Sequence, residues 1–225
     1  MRFEKSSVIS RIRSVYAALA LFVTFAASPV LSAQVQATAP VTTLPQYQQR
    51  WDLYGGFSYS HFNPGAGIGV HANNLTGWNG DATAWFKQLF GLEFSARGYY
   101  GTIEVPPNAY NVTKSDMSEH LFLVGPNFRL YRRENYAAGF HALIGAANGS
   151  FDEGFKGTGA QPYQVGIYNN KVAFGAAVGG WADYNLNPRW AVRVTADWQP
   201  THYGFAFQNE FAGTAGVVYK LGSLR

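Results

Sequence analysis

The chain has 225 residues, with 17 Lys/Arg against 13 Asp/Glu, no cysteine and a net charge of +4. Four of the bases (Arg2, Lys5, Arg11, Arg13) and one acid, Glu4, fall in the first 33 residues, which leaves 13 bases against 12 acids beyond them. That near-balance excludes a nucleic-acid or polyanion partner held by bulk charge, and the missing cysteines exclude disulfides, a thiolate metal site and a cysteine nucleophile.

In chain order, the basic start is followed by an uncharged stretch from Ser14 to Ala33, interrupted by Pro29 and closed by Ser32-Ala33. Residues 1–33 read as a secretory signal peptide, with a retained membrane anchor as the competing reading. Residues 34–50 are rich in Gln, Thr, Ala and Pro and read as a flexible lead-in. Residues 51–225 read as one domain. No segment of it has a helical period, and short alternating runs separated by turn chemistry make it all-β.

About eight runs have the length of a tilted membrane strand, roughly 9–11 residues. They are Trp51 to Phe62, Gly77 to Phe86, Phe90 to Thr102, Ser118 to Tyr131, Tyr136 to Ala147, Val172 to Leu186, Trp190 to Trp198, and Gln208 to Leu221. The fourth is ambiguous, because Leu121 to Val124 are all apolar and Pro126 removes a ladder hydrogen bond. The seventh is the clearest. Trp190, Val192, Val194, Ala196 and Trp198 share one face, with Ala191, Arg193, Thr195 and Asp197 on the other. In a soluble sandwich or lipocalin-type barrel the apolar face is hidden. In an outer-membrane barrel it meets lipid, between two aromatic girdles, and the polar face lines the lumen.

The links decide between these. Asn63 to Thr76, Ile103 to Met117 and Asn148 to Lys171 are long, whereas the links near Gln88, Glu134 and Pro188 are short. Long loops on one rim and short turns on the other fit a closed antiparallel up-and-down eight-stranded transmembrane β-barrel in a Gram-negative outer membrane. Its short turns would lie in the periplasm and its long loops outside the cell.

Phe122 to Tyr131, Phe140 to Ala147, Phe174 to Asp183 and Gly216 to Gly222 together resemble the later strands of OmpA-like eight-stranded outer-membrane proteins. The resemblance spans roughly Trp51 to Leu221 and is one of pattern. It implies the architecture, assembly by the outer-membrane insertion machinery and contact with outer-membrane lipid. Two features depart from the family: the chain ends in Leu224-Arg225 rather than an aromatic residue, and no peptidoglycan-binding domain follows the last strand.

The inward charges expected from the alternation are Asp81, Glu93, Arg97, Arg129, Asp183, Arg193, Asp197 and Lys220. An eight-stranded barrel is just wide enough for side chains to fill it, so these read as a structural ion-pair network rather than a pore lining or a catalytic set. Trp85, Tyr99 and Trp181 are expected to fill further space, and His141 to be a hydrogen-bonded part of the plug. His61, His71 and His202 have no metal spacing. Gly65 to Gly69 lacks the helix of a phosphate loop. The deacylase pattern of a His with a Ser two places on fails, since Tyr203 and Gly204 follow His202. The expectation is a non-enzymatic, monomeric barrel without cofactor or metal. It would be structural or adhesive and act through its external loops on a partner the sequence does not name. A lipid-modifying barrel enzyme and a soluble ligand-binding barrel are the alternatives.

Overall fold

A computed structural model describes residues 47–63, 72–169, 171–204 and 207–224. The expected signal peptide, the lead-in as far as residue 46, the Gly65–Gly69 run and His71 lie outside the described residues.

The strands are β1 (Trp51–Asn63), β2 (Asn73–Trp85), β3 (Phe90–Glu104), β4 (Lys114–Arg132), β5 (Tyr136–Ser150), β6 (Lys171–Asn185), β7 (Trp190–Thr201) and β8 (Gln208–Leu221). Each pairs antiparallel with the next, and β8 returns to β1 from Trp51↔Leu221 to Asn63↔Asn209. The result is a closed eight-stranded up-and-down β-barrel without a free sheet edge. All eight expected runs are strands, and several continue past their expected ends on the loop side. β4 reaches 19 residues despite Pro126. The missing N–H there is accommodated by a gap in the β4–β5 ladder between Val124↔Ile144 and Asn127↔His141. Pro200 sits in a matching gap of the β6–β7 ladder, between Gly175↔Thr201 and Val178↔Trp198.

Alternation sorts the side chains as the sequence pattern requires. Leu53, Phe57, Leu92, Phe94, Val124, Ile144, Val178, Val194 and Val217 are all exposed on the outer wall. Aromatic residues bound this apolar band. Towards the short turns lie Trp51, Phe86, Phe90, Tyr131, Tyr136, Tyr184 and Trp190; towards the loops lie Tyr59, Tyr100, Trp198 and Phe211. The girdle residues pack on one another, with Phe128 and Phe140 stacked at 4.8 Å and Trp190 against Tyr219 at 4.7 Å.

The lead-in was expected to be flexible up to residue 50, but its last four residues are built into the barrel's short-turn end. Tyr47 is buried there. Its hydroxyl donates towards the carbonyls of Arg133 and Tyr136 and accepts from Asn185 Nδ2 at 2.7 Å. Burial raises the pKa of this phenol above its ordinary value, which keeps it a neutral donor. Arg50 N–H bonds the Leu221 carbonyl at 3.1 Å, extending the β1–β8 ladder by one residue.

Candidate functional site: the barrel lumen

The inward side chains form stacked layers between the short turns and the loops. The layer nearest the short turns joins Asp52 (β1), Arg129 (β4), Asp183 (β6), Arg193 (β7) and Lys220 (β8), all buried. Arg193 grips Asp183 through two bonds, Nε to Oδ1 at 2.6 Å and Nη2 to Oδ2 at 3.0 Å. It also lies 3.6 Å from Asp52 Oδ2, which Arg129 reaches at 3.1 Å. Lys220 donates to Asn185 and sits 4.0 Å from Asp183. Two tryptophans close the gaps. The Arg129 guanidinium lies 3.8 Å from the Trp85 ring centroid and that of Arg193 lies 4.5 Å from Trp181. A planar guanidinium can stack on a ring and bond carboxylates at its edge at the same time, which a lysine cannot.

The next layer joins Glu93 and Arg97 (β3), His141 (β5) and Asp197 (β7). Arg97 Nη1 meets Asp197 Oδ2 at 2.6 Å and also donates to Gln199. The His141 ring lies between two carboxylates, with Nε2 3.0 Å from Asp197 and Nδ1 3.0 Å from Glu93. A ring carrying N–H on both nitrogens satisfies both acids. Asn127 ties the two layers together, donating to Glu93 and accepting from Trp181 Nε1 at 2.9 Å. Asp81 is buried beside this layer and accepts from Asn79 at 3.2 Å, but makes no ion pair among the described residues.

Three inward acids were missing from the expected network: Asp52, Glu119 (β4) and Glu210 (β8), each buried. Alternation alone could have found them. Glu119 shares the parity of Asn127 and Arg129, and Glu210 that of Thr214 and Gly216. With them the lumen acids are Asp52, Asp81, Glu93, Glu119, Asp183, Asp197 and Glu210, against Arg97, Arg129, Arg193, Lys220 and His141. The four acids and four bases expected from the sequence are therefore not the whole inward set, and acids predominate among the described lumen residues. Glu119 and Glu210 face each other above the second layer, with Ser60 donating to Glu210 and the Tyr203 hydroxyl beside Glu119. Burial and the neighbouring Glu119 push the Tyr203 phenol far above its ordinary pKa.

On the β2–β5 side the lumen is largely apolar towards the loops, whereas Ser58, Ser60, Gln199, Thr201 and Gln208 of β1, β7 and β8 keep the other side polar. Leu75, Tyr99, Ile103, Met117, Leu121, Leu123, Leu143 and Ala147 project from the wall into one buried cluster. The third long loop folds down onto it, contributing Phe151, Phe155, Val165, Ile167 and Tyr168 and including a short 3-10 turn, Pro162–Val165. Phe151 meets Tyr203 edge-on at 5.2 Å.

Filling so narrow a tube requires small residues opposite large ones. Gly139 leaves the space taken by the Trp181 ring, and a Cβ on Gly179 would collide with the Asp197 carboxylate and the Ala196 carbonyl. We expect Gly179→Ala to lower stability by about 1–3 kcal/mol through overpacking, measured by urea unfolding of the protein in bilayers. An unchanged midpoint would mean the second layer is loose.

Chemically, both nitrogens of His141 are committed to carboxylates. No serine or threonine hydroxyl bonds this ring among the described residues.

No family model matches the chain, and no curated protein matches it. Solved structures share its fold. Ail, the attachment invasion locus protein of Yersinia pestis, is 16% identical with a TM-score of 0.51, over 77% of this chain and 99% of that one. The outer membrane protein OprG of Pseudomonas aeruginosa is 13% identical with a TM-score of 0.54, over 78% and 97%. Neisserial surface protein A is 12% identical with a TM-score of 0.52, over 76% and 97%. At these identities the likeness is one of fold, that of eight-stranded outer-membrane barrels.

Proposed function

We propose that the chain is a non-enzymatic outer-membrane β-barrel of the OmpA-like kind, exported by residues 1–33 and inserted as a monomer, which acts through its loop-side surface. The observation that carries this reading is the filled lumen. Ion pairs occupy its lower part, and a largely apolar cluster capped by the third loop, with the buried Glu119 and Glu210 beside it, occupies its upper part. A barrel plugged over its height has no path for a solute, so its outer surface is left for function. The exposed apolar wall supports lipid as its surroundings, since a soluble barrel would leave that area in contact with water. On the loop side, Tyr110 (43% exposed), Tyr163 (64%) and Phe207 (55%) present aromatic rings to the outside. Such residues are the usual anchors of protein contacts. Ail is the attachment invasion locus protein of its organism, and an adhesive role of that sort fits these rings.

Two measurements test the proposal. Purified protein in planar bilayers should give at most small, infrequent openings, because paired charges in a partly dehydrated lumen hold together more strongly than in water. A sustained porin-sized conductance would overturn the plug. Cells displaying the protein should bind host or neighbouring cells, and Tyr110→Ala with Tyr163→Ala should weaken that binding several-fold while the unboiled protein keeps its compact gel mobility. Undiminished binding in the double variant would remove the aromatic rim from the mechanism.

A further inference from the structure

The two rims of the barrel differ in charge, and among the described residues the short-turn cations are not neutralised by acids of the protein, Arg132 donating only to the Gln88 amide oxygen. On the short-turn side, Arg50, Lys87, Arg132, Arg133 and Arg189 are exposed, with Glu134 as the acid among them. None of the five cations makes an ion pair among the described residues. On the loop side the exposed or half-exposed charges include Glu104, Asp116, Asp152 and Glu153 against Lys114 and Lys156, and Lys156 is paired with Glu153 at 3.4 Å. Beyond residue 33 the chain is close to neutral overall. The basic rim is therefore a matter of placement rather than of composition.

The placement is also circumferential. Arg50 precedes β1, Lys87 lies between β2 and β3, Arg132 and Arg133 stand at the β4–β5 turn, and Arg189 at the β6–β7 turn. The cations thus recur at every second strand around the wall, one step beyond the aromatic girdle of Trp51, Phe86, Tyr131, Tyr136 and Trp190. Arg133 keeps its guanidinium 5.9 Å from the Tyr131 ring centroid, at the edge of that girdle. A globular partner or a wall polymer would approach from below and needs a patch. A ring that flanks an apolar band on all sides instead matches a sheet of anionic groups surrounding the barrel. Long basic side chains suit this position, with their stems on apolar surface and their heads at the phosphate level.

We propose that the short-turn rim is a binding ring for anionic phospholipid headgroups of the surrounding leaflet. The proposal rests on the outer-membrane reading, with the short turns on the periplasmic side. Each Lys or Arg at an anionic lipid surface contributes enough for roughly a five-fold preference when fully engaged.

The test reconstitutes the full chain in bilayers of phosphatidylcholine containing a minor fraction of spin-labelled phosphatidylglycerol or spin-labelled phosphatidylcholine, and reads the motionally restricted fraction. Wild-type protein should restrict the phosphatidylglycerol probe several-fold more than the phosphatidylcholine probe, and about 1 M salt should erase the difference, since exposed charges are then screened within a few ångströms. A variant combining Lys87→Gln, Arg132→Gln, Arg133→Gln and Arg189→Gln should lose the preference, while Lys114→Gln with Lys156→Gln should keep it. Equal restriction of both probes by wild type, or a preference that survives the fourfold variant, overturns the proposal. If the fourfold variant does not fold, the salt titration of wild type decides alone. Protein that enters no bilayer, and shows no change of gel mobility on boiling, would count against the membrane reading itself and take this proposal with it.

Discussion

Asp197→Ala is expected to lower the unfolding free energy by about 3–5 kcal/mol, the range found when one partner of a buried ion pair is removed. Asp197 is the acid on which the second lumen layer converges. It receives Arg97 at 2.6 Å and the His141 ring at 3.0 Å, and its side chain is shut off from solvent. Without it, Arg97 keeps only uncharged partners and His141 keeps Glu93 alone. The Arg97 charge then has no carboxylate in contact, and His141 Nε2 loses its acceptor, in a layer whose side chains are buried. The loss should show as a lower urea midpoint in bilayers and a lower temperature at which the compact gel band disappears. Replacing both partners, Asp197→Leu with Arg97→Met, should cost less than Asp197→Ala alone, because the Arg97 charge is then no longer stranded. A cost below about 1 kcal/mol for Asp197→Ala, the size of an exposed pair, would mean that water reaches this layer.

Val194→Arg should cost about 2–4 kcal/mol if its site lies near the bilayer midplane. Val194 is 45% exposed on the outer wall, midway between the girdle residues Trp190 and Trp198. Its ladder neighbours are Ala182 and Ala215, which offer no polar group to a guanidinium. Thr195, one residue on, is 7% exposed and shares a hydrogen bond with Thr214 at 2.8 Å inside the lumen. Thr195→Arg overpacks that interior, so its cost should be the same in bilayers and in detergent. The Val194→Arg cost should fall in short-chain detergent, where the side chain reaches water sooner, and Val194→Leu should stay within about 1.5 kcal/mol of wild type as a volume-compatible apolar exchange. If Val194→Arg is harmless and insensitive to lipid thickness, the outer wall does not face hydrocarbon.

Where the two faces of a strand differ in polarity, the sequence is legible. β8 has the bounds expected from its pattern, and the inward set of β7 can be read off Arg193, Thr195 and Asp197. Legibility fails where both faces are apolar. Leu121 and Leu123 point into the lumen while Phe122 and Val124 point out, so the start of β4 shows no contrast. The cause is the apolar β2–β5 side of the upper lumen, which turns the usual polar-in rule off for those strands while β1, β7 and β8 keep it. The same cause hid the third loop's role. Phe151, Phe155, Val165, Ile167 and Tyr168 follow no period, and only the fold reveals that they cap that core. Tyr47 could not be found either, because its partners Arg133, Tyr136 and Asn185 lie far away along the chain.

The lumen contacts also bear on how such a wall can come together. Arg97 on β3 meets Asp197 on β7, Asp52 on β1 meets Arg129 on β4, and Glu93 on β3 meets His141 on β5. None of these joins neighbouring strands. A growing sheet of hairpins can form its ladders one by one, and with them the Arg193–Asp183 pair of neighbouring β6 and β7, but the β3–β7 and β1–β4 contacts need distant strands brought round into the ring, and long-range contacts of this kind are slow to be rewarded. Until then Arg97, Asp197, Arg129 and Asp52 lack these partners, so a half-built sheet that entered hydrocarbon would carry them unpaired. Closure and commitment to the membrane should therefore coincide, and a partly assembled wall should let go rather than linger.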